Sequence, residues 1–183
     1  TRRDIVGPDV ADDLAKLQDA MPPFDPALVP GLLDEALGEK ARALTEISPP
    51  VAAASIAQVH RATLVHGDGR KEIVAVKLLR PGIAARFKRD LDGLYALARA
   101  AERIVPGAKR FRGRHVVDAL VRSAALEMDL RMEASAISEM ADNIKDDPGF
   151  AVPVVHWGQS ARTVLTTSWI EAIPVRDTAR IDA

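Results

Sequence analysis

The stretch that decides the fold runs Pro49-Pro50-Val51-Ala52-Ala53-Ala54-Ser55-Ile56-Ala57-Gln58-Val59-His60-Arg61-Ala62 and resumes at Val74-Ala75-Val76-Lys77-Leu78-Leu79-Arg80-Pro81-Gly82. It couples a run of small residues, set between strand-like segments, to a single lysine inside an otherwise apolar strand. A polyphosphate needs backbone N–H groups close to its oxygens and a fixed cation, so a loop of small side chains with one ammonium opposite is the minimum that can hold one. Alanine lets the backbone approach, but its Cβ forbids most positive-φ conformations that glycine allows, which makes such a loop stiffer than a glycine loop. Residues 73, 75, 77 and 79 share one face of the strand, so Lys77 lies in line with Ile73, Ala75 and Leu79. A half-buried ammonium there calls for a carboxylate or an anionic ligand. Taken singly, each feature has a plainer reading, because alanine clusters favour helix and a strand lysine can reach water along its stem. Together, at this separation, they favour a phosphate site.

Ala52 to Val59 has the spacing of the protein-kinase phosphate-covering loop, G-x-G-x-x-G-x-V, with alanine at each glycine position, and Val74 to Lys77 matches the V-A-I-K strand. The segments PPVAAASIAQVHRA and VAVKLLRPGI resemble the UbiB/aarF family of atypical protein-kinase-like proteins, which is associated with ubiquinone biosynthesis and has an alanine-rich loop in place of the glycine loop. The resemblance extends from about Asp9 to Asp177.

Composition sets the outer bounds. With 183 residues and 48% hydrophobic content the chain can bury a core, on the order of 70% of its unfolded surface for this size class. The net charge of −1 gives no general reason to expect nucleic acid. The absence of cysteine excludes disulfides and thiolate metal sites and fits a reducing, cytoplasmic setting for this segment. No apolar run approaches the roughly 20 residues that span a bilayer.

In chain order, Asp9 to Met21 reads as a helix, with Val10, Leu14, Leu17 and Met21 at helical spacing, stopped by Pro22-Pro23. Asp25 with Pro26 is an N-cap and first-turn pair, so a second helix is predicted from Pro26 to Leu37, ended by Gly38. Val59–Val65 and Glu72–Leu79 read as strands joined by His66-Gly67-Asp68-Gly69. His66-Gly67-Asp68 imitates the H-x-D of a kinase catalytic loop, yet it precedes the lysine, so Asp68 is read as a turn residue. A helix is predicted from Ile83 to Ile104, with Ile83, Phe87, Leu91, Leu94, Tyr95 and Ala98 along one stripe and Pro106-Gly107 as its break. Lys109-Arg110-Phe111-Arg112-Gly113-Arg114 is a basic cluster with one aromatic, a composition that suits anionic lipid headgroups or nucleic acid. A solvated loop is its simpler reading, since the rest of the chain has no matching positive excess. Val116 to Asp146 reads as one continuous helix, Ala151–Trp157 and Thr163–Ile170 as the last two strands of a five-stranded antiparallel sheet.

The resemblance then assigns roles. Glu133 looks like the helix glutamate that holds a kinase's strand lysine against the phosphates, and the pairing would offset the desolvation of Lys77. Asp129, four residues before Glu133, is expected on its face; Glu127 and Asp129 are similar to the family's E-x-D pair, which implies a regulatory contact with the K-x-G-Q element or help in placing metal. The segment LAKLQDAMPPFDPALVPGLLDEALG is similar to the region after K-x-G-Q, whose own motif would lie before Thr1, so the gate that the family's N-terminal helices form over the pocket is incomplete here. Ala52, Ala53, Ala54, Ser55, Ile56, Ala57 and Val59 would cover the phosphates of ATP or ADP, with Ala75, Ser168, Trp169 and Ile170 bordering adenine and Thr166 or Thr167 near the back of the pocket. The aspartate that orients an acceptor and the Asn and Asp that hold Mg²⁺ follow the hinge in kinase order and are not found here.

The expected fold is therefore an α+β kinase-like N-lobe: residues 1–48 a helical extension, 49–177 the lobe with its glutamate-bearing helix, 178–183 the start of a C-lobe. The expected activity is ATP binding for an atypical kinase or ATPase that supports ubiquinone biosynthesis at a membrane, with quinone-biosynthesis proteins and lipid surfaces as partners. The alternative is a non-catalytic kinase-fold scaffold for a biosynthetic complex, which residues after Ala183 would discriminate.

Overall fold

A computed structural model describes residues 22–105 and 107–173, together with Gly7 and Arg180. The predicted helix over Asp9–Met21 and the segment after Ile173, apart from Arg180, lie outside the described residues. Asp25 caps as expected, its Oδ1 accepting from Ala27 N–H at 2.9 Å. A 3₁₀ turn over Pro26–Leu28 leads into helix α1, Val29–Leu37. Gly38, at φ 58°, lets the chain turn out of that helix where a side chain would be strained.

Five strands follow: β1 Leu44–Thr45, β2 Pro50–Ala53, β3 Ala57–Val65, β4 Lys71–Leu79 and β5 Val164–Ser168. All pairs are antiparallel, in the order β1-β3-β4-β5, with β2 lying end to end with β1 along the same edge of β3. The strand count matches expectation, but the membership does not. Ala151–Trp157 is no strand: only Val155 bridges to Thr167, Pro153 lacks a donor, and a 3₁₀ turn begins at Trp157. Leu44–Thr45 takes its place.

Helix α2 spans Ile83–Ile104, as predicted, and α3 spans Gly113–Glu127. The continuous helix expected from Val116 to Asp146 is instead two. Met128 closes α3, and Asp129, in extended conformation, accepts from Arg131 N–H to start α4 over Leu130–Ile144. An aspartate whose side chain can bond a backbone N–H two residues on prefers a cap to a helix interior, and that preference outweighs the unbroken apolar period.

Alternation along β3 and β4 gives the sheet two faces. Ala62, Leu64, Val74, Val76 and Leu78 join Val29 and Leu33 of α1 and Leu44 in the main core, so the N-terminal extension shares its core with the sheet. On the other face a smaller cluster forms from Ala57, Leu79 and Leu165 with Leu130 and Ala134 of α4.

Candidate functional site: a cavity under the alanine hairpin

The register places the site before any side chain is considered. Val59 pairs with Lys77, and Lys77 with Leu165, in one cross-strand row; Arg61, Ala75 and Thr167 form the next. These side chains share the open face. The cavity on it holds about 460 Å³, with Ala52, Ala53, Ala54, Ala57 and Val59 on the hairpin side, Ala75 and Lys77 on β4, and Glu133 and Ile137 from α4. Leu165, Thr167 and Pro153 complete the wall.

The alanine run is a hairpin rather than a free loop. Ala52 pairs with Val59 and Ala53 with Gln58, a bulge falls between Pro50 and Ala52, and Ala54 N–H donates to Ala57 C=O at 2.8 Å across a short turn. Arg80 braces that turn: its Nε donates to Ala54 C=O at 2.9 Å and its backbone N–H to Ile56 C=O at 2.8 Å. In the sequence Arg80 belongs to the resembling segment VAVKLLRPGI, and no contact is expected of it there.

Lys77 Nζ donates to both oxygens of Glu133, at 2.9 and 2.7 Å. The side chains keep 30% and 42% of their exposure, so the pair lines the cavity without being sealed from water. Glu133 reaches Lys77 because Leu130, Glu133, Ala134 and Ile137 form one helical stripe, and burial of Leu130 and Ala134 turns it to the sheet. Leu130 N–H also donates to Arg162 C=O at 2.9 Å, tying the start of α4 to the turn before β5.

The remaining expected residues are dispersed. Ser55 and Ile56, at the turn, and Glu127 line a neighbouring apolar cavity of about 350 Å³ against α2 and α3. Asp129 does not share a helix face with Glu133, as the sequence suggested; it caps α4 and grips the Arg131 guanidinium through both oxygens at 2.9 and 2.6 Å. That hydrogen bonding holds its carboxyl down to about 2. Thr167 faces the cavity, whereas Thr166 is on the closed face and donates to Gln159 C=O at 2.7 Å. Ser168, Trp169 and Ile170 lie past the cavity wall: Ser168 Oγ accepts from Val154 N–H, and Trp169 N–H donates to Ile73 C=O while its ring sits 5.9 Å from the Arg61 guanidinium. Asp68 accepts from Arg70 N–H in the β3–β4 turn, as a turn residue should. Among the described residues no cluster of His, Asp and Glu is arranged to hold a metal ion, and no helix is long and apolar enough to cross a membrane.

An antiparallel sheet with an alanine hairpin at its edge, a strand lysine, and a helix glutamate bonded to it is a protein-kinase-like N-lobe. Residues 16–183 match the ABC1 atypical kinase-like domain, and the chain belongs to that family. It is 38% identical to a probable protein kinase UbiB of Pseudomonas putida and 39% identical to the one of Azotobacter vinelandii, each alignment covering 99% of this chain and 33% of the relative. The chain thus spans about a third of the length of these relatives. Among solved structures, the Mycobacterium tuberculosis protein Rv3197 in complex with erythromycin is similar with a TM-score of 0.73 at 35% identity, over 98% of this chain and 44% of that one.

Proposed function

We propose that this lobe binds the phosphates of ATP or ADP in the cavity under the alanine hairpin, as part of an atypical kinase or ATPase of the UbiB type that supports ubiquinone biosynthesis beside a membrane. The observation that carries this reading is the Lys77 ammonium held by both Glu133 oxygens at the cavity wall. A cation fixed by a carboxylate, with further capacity to meet an anion, is what a polyphosphate requires. The donor chemistry fits: the hairpin above it carries only methyl side chains at residues 52–54, and these leave the backbone open to close approach.

In this reading Lys77 contacts the phosphates, Glu133 orients Lys77, and Arg80 keeps the hairpin from rising. Ala75 and Thr167 border the base, nearer to the cavity than Ser168 to Ile170. The bound nucleotide supplies the transferable phosphoryl group. Mg²⁺ would be held by carboxylates and an amide from outside the described residues. The test is titration of the chain with Mg²⁺–ADP and Mg²⁺–ATP. Lys77→Met should weaken binding at least about tenfold, the loss of one charge-assisted contact, and Ala54→Gly should change the ratio of the two affinities. Superimposable curves for all three proteins would overturn the assignment.

A further inference from the structure

Helices α2 and α3 pack as an antiparallel hairpin: a Cβ on Gly113 would sit 3.4 Å from that of Ala98, Glu102 meets Arg114, and Tyr95 donates to Asp118. No residue of α2 is fully buried; α3 buries Val117 and Ala124, and Ile83 at the base of α2 packs on the smaller core cluster, so the far end of the hairpin stands away from the core. Its tip, residues 99–116, holds six Arg and Lys against one acid, Glu102, in a chain whose net charge is −1. Glu102 is already engaged, with Arg114 Nε at 3.3 Å. Set among these cations are large apolar side chains that nothing covers among the described residues: Ile104 is 77% exposed, Phe111 70%, Leu97 66% and Val105 54%. Leu97 and Ile104, seven residues apart, lie on one face of α2. Arg110 stacks its guanidinium 5.3 Å from the centre of the Phe111 ring. Beside the tip, Arg99, Arg114 and His115 line a cleft of about 450 Å³ together with Tyr95 and Asp118, whose carboxylate is taken up by the Tyr95 hydroxyl.

From this we infer that the tip of the α2–α3 hairpin is a docking surface for an anionic phospholipid bilayer, with Ile104 and Phe111 entering the acyl boundary and the arginines meeting headgroup phosphates. The surface does not depend on the nucleotide reading. Apolar and cationic groups placed side by side match a medium that is itself apolar below and anionic above. Nucleic acid offers the charge but no apolar layer for Leu97, Ile104 and Val105, and the tip has one aromatic side chain for stacking. A second copy of the tip would bring like charges together. Since no described helix can span a bilayer, the contact is interfacial.

The test is sedimentation of the 183-residue chain with vesicles of equal phosphatidylglycerol and phosphatidylcholine, against phosphatidylcholine alone. Binding to the anionic vesicles should exceed the neutral ones at least about tenfold and fall as salt rises. Arg103→Glu with Arg110→Glu should weaken it about tenfold or more. Ile104→Ser with Phe111→Ser, which leaves the charge unchanged, should also weaken it by about tenfold. All four positions are exposed, and both double variants should unfold at the wild-type denaturant midpoint, which separates lost docking from lost fold. Equal partition into both vesicle types, no binding to anionic vesicles, or wild-type binding by either double variant would overturn the proposal. So would release by soluble glycerol phosphate at the same phosphate concentration, which would mean a free-phosphate site, or a wild-type dimer that only the Ser variants dissolve.

Discussion

On one face of the β3–β4 pair a glutamine and a histidine are sealed from water; on the other, one residue further along β3, Val59 opens a row that carries a half-solvated lysine and its glutamate. Gln58 and His60 are 0% and 1% exposed. Their network closes completely: Phe24 N–H donates to Gln58 Oε1 at 3.0 Å, Gln58 Nε2 lies 2.9 Å from His60 Nε2, and His60 Nδ1 lies 2.7 Å from Ser48 C=O. A carbonyl accepts only, so Nδ1 carries the hydrogen, and Gln58 then donates to a bare Nε2. Every polar atom has one role, and the arrangement ties the segment before α1 and the approach to β2 onto β3. Lys77 and Glu133 are bonded as closely but left facing a cavity. The closed face uses polarity for structure, and the open face keeps it available.

The largest effect is expected on the closed face. His60→Ala removes a buried ring and leaves the Ser48 carbonyl and Gln58 Nε2 without their partner, so it should cost about 3 kcal/mol of unfolding free energy in urea. Gln58→Ala should cost a similar amount, and the double variant less than the sum, because both act on one network. A loss for His60→Ala below about 1 kcal/mol would break the comparison, since a sealed polar pair cannot be that cheap to dismember.

The two faces also differed in how far the sequence disclosed them. Lys77 stood out because an isolated cation in an apolar strand demands an anion, but among 26 acidic residues Glu133 was singled out only by the resemblance to a kinase lobe. The Asp25 cap, the Gly38 stop and the whole of α2 followed from local chemistry alone. The Gln58–His60 pair could not be read in the same way. Alternation put both on one face, but polar residues at strand period usually mark the solvent side, and only α1 and the segment from Phe24 to Ser48 reverse that. The break at Met128-Asp129 was hidden for a related reason: the helical period runs through it, and a single side-chain-to-backbone bond decides between one helix and two. Arg80 was legible in type but not in reach, because the position of the alanine turn depends on pairing between β2 and β3.

An intermediate effect belongs to Asp129, which starts the helix that brings Glu133 to the open face. Its carboxyl is held to about 2 when folded, below the ordinary aspartate value, first by the Arg131 hydrogen bonds. A depressed folded value means stability that is fully present above the unfolded value and is lost as pH falls from about 5 toward 2. Asp129→Ala should therefore cost about 1 kcal/mol at neutral pH, the usual worth of an N-cap. Its unfolding free energy should also fall less steeply than wild type's across that acid window. Parallel acid limbs for the two proteins would remove Asp129 from the account of how α4 is seated.

The smallest effect on stability is expected at the Lys77–Glu133 pair, although its bonds are as short as those of the sealed network. The Lys77–Glu133 pair gains Coulomb energy, but with both side chains partly in water the attraction is screened, and holding two long side chains in one geometry costs entropy. Met at position 77 keeps the stem that packs beside Val59 and Leu165 and gives up only the ammonium. Lys77→Met should then shift unfolding free energy by less than about 1 kcal/mol, and Glu133→Gln by no more. Leu130 and Ala134, buried beneath the same helix, keep α4 in place in both variants. Such a result would sharpen the contrast, because a lysine and glutamate bonded at 2.7 Å with little bearing on stability are free to be retained for a ligand. Were Lys77→Met to cost as much as His60→Ala, the ion pair would be a strut between sheet and helix, and the open face would have no better claim to function than the closed one.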